Sequence, residues 1–149
     1  MLVGAGRPCS FSHPVHHAMI EILSTGLPNL VQDLGRVGHL SLGVSRSGAL
    51  DPYALSLGNL SVGNCSDAAG IEISLFPFRV RFLTDTVFCC TGADCELNRG
   101  EDSTPLSSWW VHRAEAGQIL TIGMPRRGAR AYLTLRGGII AAHQALQFG

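Results

Sequence analysis

Gln32-Asp33-Leu34-Gly35-Arg36 places an amide, a carboxylate and a guanidinium within one short segment. Gln offers a donor and an acceptor together, and Arg grips a carboxylate through two parallel N–H bonds. Such a group can read a small amide or carboxylate. The same residues also suit an Asp–Arg pair that stiffens a loop, and local chemistry alone favours that simpler account. A second cluster, Ser45-Arg46-Ser47-Gly48-Ala49-Leu50-Asp51-Pro52, leads into a helix. Free N–H groups and the positive end of the helix dipole at such a point attract an anion. Ser47, Gly48 and Asp51 are therefore candidate carboxylate or phosphate contacts, although a plain capping turn accounts for them more simply.

Further along, Thr91-Gly92-Ala93-Asp94 follows a run that reads as a buried strand. Polar residues beside Gly at a strand end line a pocket or merely make a turn, and Thr91 and Asp94 are candidates on the first reading. Glu72 falls on the polar phase of its strand, which suits a solvated or Arg-paired carboxylate better than a catalytic one. Arg126, Arg127, Arg130 and Arg136 suit phosphate binding or plain solvation. Metal binding finds little support: Cys89, Cys90 and Cys95 lack Cys-x-x-Cys spacing and have no His at matching distance. No Gly-x-x-x-x-Gly-Lys-Ser/Thr string and no Gly-x-Ser-x-Gly elbow occurs. No residue is singled out as catalytic.

The elements that must position these groups are mainly extended. Met19 to Leu23 has the look of a strand, and Thr25 to Asn29 is a turn cluster. Val31 to Gly48 holds glycines without a sustained period and reads as loop with short extended pieces. Asp51 can cap a helix, Pro52 suits its first position, and an apolar stretch runs to Val62 before Gly63-Asn64 ends it. Tyr53, Leu57 and Leu60 give that helix one apolar face. Beyond Asn64 the period becomes two. Ile71, Ile73 and Leu75 alternate with Glu72 and Ser74, and Phe78, Val80 and Phe82 alternate with Arg79 and Arg81. Thr86–Thr91, Trp109–His112, Gln118–Ile122 and Ala129–Leu135 are further strands, separated at Asn98-Arg99-Gly100, Glu115-Ala116-Gly117 and Pro125–Gly128. Short strands at such spacing predict a barrel or sandwich with one helix near 52–63.

Composition narrows the classes. At 149 residues one domain, or one lobe of a larger protein, is expected. Hydrophobic residues make up 46% and charged residues 15%, below the ~25% charge usual for soluble domains. Either part of this surface is covered by a partner or by further chain, or the value is ordinary variation. Net charge is zero without a basic stripe, which disfavours nucleic acid. No apolar run reaches membrane-spanning length. The five cysteines, odd in number and irregular in spacing, argue against a disulfide framework and fit a reducing, cytoplasmic setting.

Taken together, Val31-Gln32-Asp33-Leu34-Gly35-Arg36-x-Gly38, Leu42-Gly43-Val44-x-x-Ser47-Gly48-Ala49-x-Asp51 and Asn59-Leu60-x-Val62-Gly63-Asn64 form a compound signature. Ile71-Glu72-Ile73, Thr91 to Asp94, Ala116-Gly117-Gln118, Arg126 to Leu133 and Arg136 to Ile139 follow in order. This pattern resembles the family of the 5-oxoprolinase C-subunit, also called allophanate hydrolase subunit 2 or the biotin-dependent carboxyltransferase A/B domain. The likeness covers residues 19–139 and implies a cyclophilin-like β-barrel lobe, one of two in a longer protein. Residues 1–18 then read as a disordered or spurious extension, and residues 140–149 as an aberrant, truncated tail.

The resemblance implies a subunit of an ATP-dependent complex that opens 5-oxoproline to glutamate, an amide-bond hydrolase. A subunit-B-like protein and a third hydrolase subunit are its implied partners, and ATP acts at the level of the complex. Relatives move a carboxyl group from biotin to urea, or regulate the inhibitor of a sporulation histidine kinase without catalysis. All the small substrates carry an amide or urea group. Gln32, Asp33 and Arg36 are expected to orient that group, and Ser47-Gly48 to receive an anion.

Overall fold

A computed structural model describes residues 18–23, 29–35, 47–100 and 103–139. Arg36 and the expectations for residues 1–17 and 140–149 lie outside the described residues. The described chain is mainly β with one helix, as the alternating pattern predicts. In chain order its elements are β1 Ile20–Ile22, β2 Leu30–Gln32, α1 Pro52–Ser61, β3 Gly70–Ile73, β4 Phe78–Phe82, β5 Thr86–Arg99, β6 Thr104–Leu106, β7 Val111–Ala114 and β8 Ile119–Leu135.

Two long strands organise the sheet. β8 pairs antiparallel with β5 along most of its length, from Phe88 opposite Leu135 to Arg99 opposite Leu120. On its other side, the first part of β8 pairs with β4 and the last part with β3. β1 and β2 close the outer edges against β4 and β3, while β6 and β7 extend β5. The result is a curled half-barrel sheet. Pro125 to Gly128 does not split β8 into separate strands. The irregularity appears instead as register shifts between Gly92 and Leu97 on β5. Bulges let a strand bend without ending.

The apolar phase of β4 behaves as its alternation predicts: Phe78, Val80 and Phe82 are all fully buried. They join Phe88, Leu97, Leu120, Ile122, Leu133 and Leu135 in the main core. Phe82 and Phe88 stack at 5.2 Å between ring centroids. Trp109 and Trp110 lie before β7 in a turn rather than inside a strand.

The helix starts where expected. Asp51 accepts a hydrogen bond from Ala54 N at 3.0 Å, and Pro52 opens the first turn. Its packed face is a different one from the stripe of large apolar residues. Ala54, Leu55, Gly58 and Asn59 are buried, whereas Tyr53, Leu57 and Leu60 are exposed. Gly58 is required on the inner face because the helix lies close to the sheet there: a Cβ on Gly58 would meet Thr91 Oγ1 and Thr134 Oγ1 at 3.0 Å. Thr91 Oγ1 donates to Ala54 O at 2.7 Å, tying α1 to β5.

The far end of α1 is held by polar residues of the signature. Fully buried Asn59 donates to Ala68 O at 2.6 Å and accepts from Asn64 Nδ2 at 3.0 Å. Asn64 also donates to Leu135 O and accepts from Gly137 N. Arg136 Nε donates to Val62 O at 3.1 Å. Cys89, Cys90 and Cys95 are buried free thiols, and burial pushes all three up in pKa. Cys65 is disulfide-bonded, a bond that the cysteine count and spacing did not announce.

Candidate functional site

The loop that leads into α1 lies against the segment after β2. Asp33 Oδ1 accepts from Gly35 N at 2.7 Å, closing a local turn, and Asp33 O accepts from Ala49 N at 2.9 Å. Gly48 sits at φ +97°, and a Cβ there would come within 2.5 Å of Gly35 N. Only Gly fits this crossing. Ser47 takes φ 51° beside it. Asp33, Ser47 and Gly48 thus shape the loop that presents Leu50 and Asp51. Gln32 ends β2, half-buried, opposite Gly70 of β3.

Behind that loop stands Glu72, and of its two expected states, solvated or paired with an Arg, the structure shows the second. Glu72 is buried, although it occupies what reads as a solvated phase. The start of α1 covers this face of β3, a packing that no local pattern contains. Glu72 Oε2 accepts from Leu50 N at 2.8 Å and from the Tyr132 hydroxyl at 2.8 Å. The Tyr132 hydroxyl in turn accepts from Asp51 N at 2.7 Å. One carboxylate and one phenol therefore fix two successive backbone amides at the helix start. Burial is the main cause that pushes the Tyr132 hydroxyl up to about 12, with the neighbouring Glu72 adding to it.

Arg130 completes the cluster. Its Nε lies 3.7 Å from Glu72 Oε1, close enough for charge attraction but too far for a hydrogen bond. This Nε is buried and makes no hydrogen bond within the structure. A buried donor left unmatched costs ~1–3 kcal/mol, so Arg130 is poised to gain from a ligand.

These pieces converge on an open groove of about 430 Å³. It is lined by Leu50 and Asp51, by Gly92, Ala93 and Asp94, and by the stretch from Arg127 to Arg130. Segments far apart in sequence meet here because β5 and β8 pair across their irregular part, with Asp94 opposite Arg127. Of the sequence candidates, Asp51 and Asp94 face this groove. Thr91 lies beneath it, fully engaged with the helix. Two carboxylates and two guanidinium groups give the groove balanced charge, suited to a small molecule bearing both a carboxylate and N–H donors. Among the described residues, no set of three His, Cys, Asp or Glu side chains is arranged to hold a metal. None of their helices is long and apolar enough to cross a membrane.

Residues 42–147 match the family profile described as carboxyltransferase domain, subdomain A and B, and the chain belongs to that family. It is 43% identical over 121 residues to the 5-oxoprolinase C-subunit of Escherichia coli (strain K12), covering 81% of this chain and 38% of that one. Urea amidolyase of Lachancea kluyveri is 37% identical over 136 residues, 89% of this chain and 7% of its own length. Among solved structures, K. lactis urea amidolyase superposes with TM-score 0.75 at 35% identity, over 87% of this chain and 8% of that chain. TTHA0988 superposes with TM-score 0.74 at 28% identity, over 85% and 46%. The chain therefore spans well under half the length of the curated relatives it matches. Those relatives are parts of multi-subunit or multidomain enzymes.

Proposed function

We propose that this chain is the N-terminal lobe of a C-subunit of 5-oxoprolinase type, and that its groove seats 5-oxoproline, a cyclic amide with a free carboxylate. The observation that carries this reading is the buried, unmatched Arg130 Nε at the groove wall. Arg130 and Arg127 grip the carboxylate. Asp51 and Asp94 accept the lactam N–H. Glu72 and Tyr132 are positioning residues: they hold Arg130 and the Leu50–Asp51 backbone in place. Asp33, Ser47 and Gly48 support the same wall from behind, and Gln32 and Arg36 belong to the segment that flanks it. ATP enters at the level of the complex, which also contains a subunit-B-like protein and a third hydrolase subunit.

The test is 5-oxoproline-dependent ATP hydrolysis by the complex reconstituted with the Arg130→Gln variant of this chain. Arg130→Gln also removes the charge partner of buried Glu72, so the melting temperature falls by several degrees, and affinity is measured below the variant's own transition. The apparent affinity for 5-oxoproline falls by roughly tenfold or more, as loss of a charged hydrogen bond requires. Unchanged affinity would overturn the assignment.

A second reading follows from the match to urea amidolyase: a lobe that takes part in moving a carboxyl group from biotin to urea. Urea has N–H donors but no carboxylate. In that case Asp51→Asn and Asp94→Asn weaken urea-dependent turnover, while Arg130→Gln has little effect on its KM. The two readings thus predict opposite outcomes for the same variant.

A further inference from the structure

The outer face of α1 carries an apolar stripe that this chain does not bury. Tyr53, Leu57 and Leu60 are spaced by four and then three residues, which places them in one line along the helix. Leu50 precedes that line by a further three. Exposure of these four runs from 50% at Leu57 to 81% at Tyr53. Leu30 widens the stripe at its start. It stands opposite Glu72 in the sheet, and Glu72 Oε2 accepts from Leu50 N. Leu30 is itself exposed. A contiguous apolar patch of this kind marks a docking face.

Three features select what docks there. From Pro52 to Ser61 the helix holds no Asp, Glu, Lys or Arg, so two copies of α1 meet without like charges between them. The spacing of three, four and three reads the same in both directions. When two copies lie antiparallel about Leu55, Tyr53 of each meets Leu57 of the other, and Leu50 meets Leu60. The two ends of the stripe also carry opposite charge. Asp51 is exposed at the start, while exposed Arg136 sits at the far end with its Nε on Val62 O. Antiparallel copies therefore bring Asp51 to the partner's Arg136 twice over, and they set the two helix dipoles head to tail.

We propose that α1 is the seat of a two-fold homodimer, in which the stripe packs on its own copy and an Asp51–Arg136 pair closes each end. Such an interface is self-complementary, so association stops at two. With five apolar side chains from each copy it falls in the small, transient class that buries less than ~1,200 Å², and the dimer forms at micromolar concentration. It ends at the rim of the first groove, which Leu50 and Asp51 also line. It does not depend on what that groove binds.

Sedimentation velocity of the full chain across the micromolar range shows a reversible monomer–dimer equilibrium. Leu57→Ser raises its dissociation constant by roughly a hundredfold, tenfold for each of two symmetric contacts. The same variant keeps the wild-type urea midpoint at concentrations where both are monomers, since Leu57 is outside the core. Asp51→Arg and Arg136→Glu each weaken self-association, because each sets like charges together at both ends. An equal mixture of the two restores the dimer as a heterodimer, since both ends are then matched. Leu57→Ser carries the test if either charge variant fails to fold. Asp67 is also exposed, in the turn beyond α1, and Asp67→Asn leaves the dimer unchanged or tightens it. A chain that stays monomeric, or that grows beyond two, overturns the proposal. So does a dimer indifferent to Leu57→Ser, a mixture of folded charge variants no tighter than either alone, or a dimer lost on Asp67→Asn.

Discussion

The two ends of α1 use polar residues in opposite ways. At the far end, Asn59, Asn64 and Arg136 each find partners in the protein: carbonyls of Ala68, Leu135 and Val62, the amide of Gly137, and one another. At the near end, Glu72 and Tyr132 are equally well matched, but beside them Arg130 Nε is left without a hydrogen bond and the groove begins. Both ends belong to the same run of signature residues. The difference teaches that a shared signature mixes scaffold with recognition, and that only the hydrogen-bond balance separates them. Satisfied buried groups hold the fold, while an unsatisfied one beside a groove marks where a ligand belongs.

The far end is where damage to stability is largest. Asn59→Leu leaves Ala68 O and Asn64 without their partner and lowers unfolding free energy by about 3 kcal/mol in urea titration. A loss below ~1 kcal/mol would mean that this network is not what seats the helix. Thr91→Val, of similar shape, removes only the bond to Ala54 O and costs about 1 kcal/mol. If Thr91→Val instead abolished ligand binding with no stability change, Thr91 would belong with the recognition groups and the contrast between the two ends would fail. Leu57→Ser, on the exposed face of α1, shifts stability by less than ~0.5 kcal/mol in this chain taken alone.

Alkaline titration sharpens the same contrast. The Tyr132 hydroxyl is raised from 10.0 to about 12, and the Cys89 and Cys95 thiols from 9.0 to about 11. All are acids whose neutral form the fold favours. Their contribution is complete below the unfolded values and is lost as pH rises through the folded ones. The urea midpoint should therefore hold to about pH 9 and decline between 9 and 12. A midpoint that stays level to pH 11 would show that the Glu72–Tyr132 pair and the buried thiols do not couple to folding as described.

Much of this architecture was legible in advance. Asp51-Pro52 announced the helix start because its cap is a local interaction. The alternation of Phe78, Val80 and Phe82 announced β4 because one face of that strand meets the core. The stripe of Tyr53, Leu57 and Leu60 suggests the buried face, whereas close packing on the sheet selects the face of Ala54, Leu55 and Gly58. Pro125 and Gly128 look like punctuation that splits β8, and the long pairing with β5 overrides them. For Glu72 the pairing with an Arg is legible but the burial is not, because it depends on a loop more than twenty residues earlier in sequence. Asp51 and Asp94 face the groove, but nothing local to either indicated that they share it.

The position of β8 in the chain has a consequence for how this protein emerges during synthesis. β3, β4 and β5 all depend on it for pairing, yet it is made after every other described strand. Until it leaves the ribosome, β3 and β4 each have an open edge and the core phenylalanines have no lid. Such a topology, rich in non-local pairing, delays folding to a late step and leaves apolar strands exposed to aggregation in the interval. A nascent chain halted before Ile119 should therefore be the one that most needs a chaperone.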